Sequence, residues 1–232
     1  MRDRSINLAI ETSCRTGSVT LGRGDEQLGT TVLPPQRRHR VDLMPTIDGM
    51  FAERDLTPVD LGEVYVSVGP GSFTGLRIGI ATVRLLVQTL GVNVVSVPTL
   101  DVIAQNVDAD AAERPLVCLN MKQDSVYCAV YQHSGEHWER EDEPQLRTVA
   151  QIETLAVDAV LGDPLPSLSD HAKILPVELA QPRSDVVWSI GRSKARAGQF
   201  SNVETLLPIY AREPEAVSLW RQRQQRDASA NA

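Results

Sequence analysis

The stretch GPGSFTGLRIG, Gly69 to Gly79, limits what this chain can fold into more than any other. A β-branched run, Val64 to Val68, enters a glycine turn, and beyond it the apolar positions change from period two to helical period. That pattern reads as strand, tight turn and helix. Gly69, Pro70 and Gly71 make the turn, and Ser72 stands where a side chain can cap the helix. Leu76, Ile80, Val83, Val87 and Leu90 then share one face, and Gly91 can end the helix before the apolar run Val92 to Val97. The unit is β-α-β, and 232 residues are enough to surround it with one large domain or two small lobes.

The flanking segments favour two lobes. Ile6 to Ile10, Ser18 to Leu21 and Gln27 to Leu33 form a three-strand meander, which Pro34 and Pro35 stop. A basic run, Arg37 to Arg40, leads into an amphipathic helix on which Val41, Met44, Ile47 and Phe51 share a face, with Leu43 and Met50 beside it. Pro45 is tolerated only near a first turn, so this helix should start close to Asp42. The polar segment Asn106 to Pro115 joins the halves. After it come strands at Leu116 to Asn120, Val126 to Gln132 and His137 to Glu143, a helix at Val149 to Leu155, a strand at Val157 to Leu161 and a helix at Val186 to Gln199. Element order thus repeats without sequence repetition, as in the two ribonuclease-H-like α/β lobes of the actin, hexokinase and Hsp70 superfamily. The expected division is residues 1–105, 106–215 and a flexible tail over 216–232.

Several chemistries can be weighed directly. The glycine turn could cradle a phosphate at a helix N-terminus. It lacks the lysine of a P-loop, since Leu76 and Arg77 follow Gly75, and Thr74 stands where a dinucleotide fingerprint needs its third glycine. The other reading makes Gly75 and Gly79 a small-residue face for close packing. In the first hairpin, Glu11, Thr12 and Ser13 are candidates for nucleotide or metal-water contacts, against the alternative of a tight polar tip. The second hairpin carries Lys122, Gln123 and Asp124, which make no matching phosphate cradle. His133 and His137 have metal-ligand spacing only if helical, and Ser134 and Gly135 between them read as a turn. No GxSxG elbow is present. Cys14, Cys118 and Cys128 have neither metal spacing nor the number for a disulfide scaffold, which suits a reduced cytoplasm. With 23 basic and 30 acidic residues the net charge is −7, so nothing draws the whole surface toward nucleic acid. No signal peptide and no apolar run of membrane length are read, and a soluble protein is expected.

What remains is a surface. The helix at Val41 to Phe51 and the helix after Ser72 can each face the core, or can together present an apolar face to a matching helix pair in a homodimer or heterodimer. In that second reading the contacts are Val41, Met44, Ile47, Met50 and Phe51 from the first helix and Gly75, Arg77, Gly79, Thr82 and Arg84 from the second, the arginines setting orientation at the rim.

The segments Ile10 to Gly22, Arg38 to Pro45, Val66 to Ala81, Val95 to Gln105 and Pro208 to Val217 resemble the TsaB (YeaZ) family, closely over the first half and thinly through the second. In the second half, Asn120 and Lys122 stand where that family has an aspartate and an arginine. The resemblance implies a non-catalytic partner and activator of TsaD in N6-threonylcarbamoyladenosine modification of tRNA, with TsaE joining the complex. It also implies that ATP and a metal ion belong to the partner complex, that tRNA is met through the complex, and that the isolated chain needs no cofactor. The histidine pair that holds the metal in TsaD has no counterpart here, because no histidine lies between His39 and His133. The competing reading is an enzyme acting alone, an ATP hydrolase or a metallopeptidase of the glycoprotease-like group.

Overall fold

The computed structural model describes residues 5–34, 39–120, 125–135, 137–162 and 172–211. Arg37, Arg38, the second-hairpin residues Lys122, Gln123 and Asp124, and the expected tail over 216–232 lie outside them.

The first half builds β1 (Ile6–Glu11), β2 (Ser18–Arg23), β3 (Glu26–Val32), α1 (His39–Ala52), β4 (Leu61–Ser67), α2 (Phe73–Leu90) and β5 (Asn93–Val97). The strands order as β3-β2-β1-β4-β5, with β4 parallel to both β1 and β5, and β1, β2 and β3 antiparallel in turn. Strand alternation divides the sheet's residues between two covers. Leu8, Ile10, Val64 and Val66 pack with Leu43, Ile47, Ile80 and Val83 of α1 and α2, whereas Ala9, Tyr65, Val95 and Val97 belong to the opposite core.

The second half repeats the plan. After a short α3 (Thr99–Ala104), which ends the first half, come β6 (Pro115–Asn120), β7 (Ser125–Ser134), β8 (His137–Arg140), β9 (Gln145–Thr148), α4 (Val149–Ile152), β10 (Ala159–Gly162), β11 (Lys173–Ile174) and α5 (Ser184–Arg196). The sheet order is β11-β10-β6-β7-β8, with β9 also paired to β7. The expected third strand of this meander is broken into two. β8 pairs with Tyr131 to Ser134 and β9 with Ser125 to Cys128. Between them Asp142 accepts a hydrogen bond from the Val130 amide at 2.9 Å and pairs with Arg147, which pins the break. These two lobes are ribonuclease-H-like, each a meander followed by parallel strands.

The lobes exchange their last helices. α3, in the first half of the sequence, places Leu100, Ile103 and Ala104 in the core of the second sheet with Val117, Ala129 and Leu161. α5 lies on the first sheet, where Val187 and Trp188 pack with Ala9 and Tyr65. The Ser184 amide donates to Ser18 Oγ at 3.0 Å, and Trp188 Nε1 donates to Asn7 Oδ1 at 2.5 Å. The chain then stays with the first lobe: Ser201 N donates to Val94 O at 2.7 Å and Ile209 N to Val68 O at 2.7 Å. Residues 184–211 therefore stand against the first sheet, so the spatial lobes do not follow the expected boundary at residue 105.

Two further expectations are corrected. α1 starts at His39, so Pro45 lies beyond the first turn, on an exposed position. α2 does reach the length and mean hydropathy (1.2) of a membrane-crossing helix. Its apolar side is nonetheless applied to the first core, and Arg77 and Arg84 interrupt the rest.

Gly191 marks where α5 meets the sheet, because a Cβ there would sit 2.4 Å from the Tyr65 ring. Gly191→Ala should cost about 1–3 kcal/mol of stability by overpacking, measured as a lowered urea midpoint. Ser189→Ala, on the exposed side of the same helix, should stay within about 0.5 kcal/mol of the parent.

Candidate docking face and the hairpin beneath it

The first turn of α2 is built as its sequence requires. Ser72 Oγ accepts from the Gly75 amide at 3.2 Å, and Gly91 closes the helix in the left-handed region at φ 65°. Gly69, at φ 103°, makes the turn out of the sheet, and its carbonyl accepts from Thr99 N at 2.8 Å.

This turn sits on the hairpin between β1 and β2. Ser72 N donates to Ser13 O at 2.6 Å, and a Cβ on Gly71 would fall 2.3 Å from the same oxygen. At Gly75 a Cβ would come within 1.9 Å of the Thr12 carbonyl, and at Gly79 within 2.5 Å of Thr12 Oγ1. The two glycines therefore face inward and admit the chain's own hairpin. That corrects their expected place on an external helix-docking face. The small-residue stripe does serve close approach, but of backbone to backbone inside one lobe.

The hairpin's three candidate side chains are not offered to solvent. Glu11, Thr12 and Ser13 are buried beneath residues 69–75, and Glu11 Oε1 accepts from the Ser13 amide. Thr12 Oγ1 and Ser13 Oγ are buried without a hydrogen-bond partner, so neither hydroxyl is presented outward. Burial, and after it the Glu11 carboxylate, pushes the Cys14 thiol up to about 12. A thiol so protonated is a poor nucleophile at neutral pH.

Of the expected contact residues on α1, Ile47, Met50 and Phe51 are buried with Leu43 in the first core, while Val41 and Met44 are exposed. The inward stripe is thus 43/47/50/51 rather than 41/44/47/51. On α2, Arg77 is exposed and Thr82 half-buried. Arg84 is not a rim residue: its guanidinium turns inward and donates to Leu206 O at 2.8 Å, holding the C-terminal segment.

The outward face keeps Met44 and Arg77 from the expected set and adds Phe73, Ala81 and Leu85. Phe73 (50% exposed), Arg77, Ala81 and Leu85 (51%) recur every four residues on the solvent side of α2, and Met44 (42%) lies across from Leu85 on α1. Between the helices runs an apolar groove of about 250 Å³, with Ile47, Phe51, Leu86 and Leu90 in its lining. At the far end the Arg77 guanidinium stands 5.0 Å from the Phe73 ring centroid, and Phe73 packs on Tyr210 at 5.3 Å. The 73/77/81/85 spacing is legible in the sequence, but Arg77 and Ala81 within it keep it from reading as an apolar stripe. Tyr210 reaches the site only because the C-terminal segment returns to the first lobe.

The histidine pair does not form a helical ligand set. His133 is on β7 and His137 on β8, opposite Trp138 and Ser134 respectively, and the His133 ring meets Trp138 edge-on at 5.0 Å. Among the described residues no group of three histidines, cysteines or carboxylates gathers in a way that could hold a metal ion.

Residues 30–196 match the family model described as "TsaD: tRNA N6-adenosine threonylcarbamoyltransferase". The chain is 30% identical over 129 residues to the tRNA threonylcarbamoyladenosine biosynthesis protein TsaB of Bacillus subtilis, and 30% over 126 residues to that of Escherichia coli. Those alignments take in 56% and 54% of the relatives' own length, and 55% and 54% of this chain. An uncharacterized protein of Mycobacterium bovis is 31% identical over 224 residues, covering 93% of this chain and 95% of that protein. Among solved structures, YeaZ from Pseudomonas aeruginosa superposes with a TM-score of 0.74 at 23% identity, over 89% of this chain and 99% of that one, which shows a shared fold.

Ser72→Ala should lower stability by about 1 kcal/mol through loss of the cap, and Gly75→Ala by more, because its methyl would meet backbone rather than a side chain; urea unfolding of both variants tests the order. Iodoacetamide at pH 8 should alkylate Cys14 in the folded chain at least about tenfold more slowly than free cysteine, with the rate recovering on unfolding, as mass spectrometry would read.

Proposed function

The chain belongs to the family of the TsaD model and, within it, to the TsaB/YeaZ group, and on that footing we propose that it is a non-catalytic subunit in the biosynthesis of N6-threonylcarbamoyladenosine in tRNA. Its work is to dock on TsaD and favour the active conformation of that partner. A subunit that binds one conformation more tightly shifts the population toward it without doing chemistry.

The observation that carries this reading is the contrast between two parts of one lobe. The hairpin that could have held a phosphate is covered by the chain's own α2 turn, while the apolar stripe of α2 and the groove beside it stay uncovered. Phe73, Leu85 and Met44 are each about half exposed, so removing the rest of each side chain from water contributes about 1 kcal/mol apiece, and several together support a specific contact. A helix pair on the partner fits such a face, and a second copy of this chain would compete for it. ATP, its metal ion and the ATPase TsaE then belong to the assembled complex, which operates in the cytoplasm. With a net charge of −7, this chain meets tRNA through its partners.

Met44→Asp and Leu85→Asp lie on the exposed face and should leave the thermal midpoint nearly unchanged. Each should weaken co-elution with TsaD by about tenfold or more, since an unpaired carboxylate would be buried in the contact. Threonylcarbamoyladenosine formed by the reconstituted proteins should fall in step. The proposal is overturned if TsaD modifies tRNA equally well without this chain, or if the double variant binds TsaD as the parent does. Turnover of ATP by the isolated chain would instead favour an enzyme acting alone.

A further inference from the structure

A second depression, of about 270 Å³, lies where the lobes meet, between α3, α5 and β8. Three elements bring different chemistry to it. From α5, which packs on the first sheet, come Lys194 and the exposed Ser189 and Ser193. From β8 of the second sheet comes Arg140, and from α3 come Asp101 and Gln105.

The polar groups of the second lobe are already engaged. Asp101 accepts from Arg140 Nε at 3.1 Å and from the Tyr131 hydroxyl at 2.9 Å, and Arg140 Nη1 reaches Glu143 at 3.3 Å. Gln105 is tied to the backbone of Trp138 through both its amide nitrogen, at 2.8 Å, and its amide oxygen, at 3.0 Å. Lys194 differs. It is half-buried and among the described residues has no hydrogen-bond or ion-pair partner. Burial lowers its pKa, Asp101 offsets part of that, and Arg140 adds to it. Asp101 therefore acts on this ammonium only at a distance, its Oδ1 being shared by Arg140 and Tyr131, and Lys194 faces the cavity with no carboxylate in direct contact. Glu139 and His137 complete the charged or titratable lining, and both are exposed.

We propose that this pocket binds a small oxyanion, a phosphate or carboxylate group, between Lys194 and Arg140, with the Ser189 and Ser193 hydroxyls as further donors. Because Lys194 rides on the first lobe and Arg140 on the second, the bound anion bridges the two and resists their separation. The site is independent of the docking face, which is formed by α1 and α2. The anion can be a free small molecule or a phosphate of an RNA strand, and the chain's negative charge favours the former.

The full-length chain is titrated at constant ionic strength with inorganic phosphate, with acetate and with a short oligoribonucleotide, by calorimetry and by the thermal midpoint. Saturable phosphate binding in the range of about 0.1–10 mM is expected, together with a rise in midpoint. Lys194→Met should weaken binding about tenfold or more and abolish that rise, while Lys194→Arg should stay within about threefold of the parent. Acetate binding at the same lysine would give a carboxylate ligand, and oligoribonucleotide displacing phosphate would give an RNA source; both retain the site. The proposal is overturned if no arm shows saturable binding, or if folded Lys194→Met binds like the parent.

Discussion

The backbone of α2 rests on the backbone of the first hairpin at Gly75 and Thr12, and the arrangement of the first lobe depends on that contact. The approach is closer than any side chain permits, since a methyl group at Gly75 would stand 1.9 Å from the Thr12 carbonyl. With the helix seated there, Ser72 can cap its first turn while its own amide binds Ser13 O. Leu76, Ile80 and Val83 then enter the sheet's core. The same placement covers Glu11, Thr12 and Ser13, so the side chains of this hairpin serve the packing of α2. Orientation follows as well: once Gly75 and Gly79 face inward, Phe73, Arg77, Ala81 and Leu85 must face out, because residues four apart share a side of a helix.

Exchange of α3 and α5 makes the two lobes one unit. Each helix carries an apolar face made for the other lobe's sheet, so neither sheet is covered on both sides by its own half of the sequence. Trp188 shows how specific the fit is: its ring lies in the Ala9 and Tyr65 core while its indole N–H finds Asn7, a buried polar residue at the start of β1. The C-terminal segment completes the first lobe at Val94, Arg84 and Val68. Separating the halves at residue 105 would strip one helix from each core.

Local pattern carried most of the element order into view. Period two and period 3.6 distinguish β4 from α2 without reference to the rest of the chain, and Ser72 and Gly91 mark the helix ends by chemistry that is local too. The losses came where local pattern is silent. α1 is apolar around more than half its circumference, so periodicity admits two faces, and the sheet chose 43/47/50/51 over 41/44/47/51. A stripe of glycines says that something comes close but not what, and here it is Thr12 rather than another helix. Arg84 reads as a surface charge because nothing in its neighbourhood of sequence reveals Leu206, which lies 122 positions away. The short α3 and the interruption before β9 escaped for the same reason, being held by Gln105 with Trp138 and by Asp142 with Arg147 across long spans.

The uncovered stripe on α2 is the feature that folding alone does not explain. Helix residues facing solvent are normally polar, because exposed apolar area gives the folded state nothing over the unfolded one. Here Phe73 and Leu85 stand about half exposed on a helix whose other face already supplies the core. Arg77 and Tyr210 shelter the Phe73 ring through contacts that leave its far side open. A lobe optimised only for its own stability has little use for the exposed half of these two side chains. The sequence keeps apolar side chains at those two positions and beside a groove lined by Ile47, Phe51 and Leu86. That combination follows if the face is selected for what it contacts in the assembled state, where the same area is removed from water.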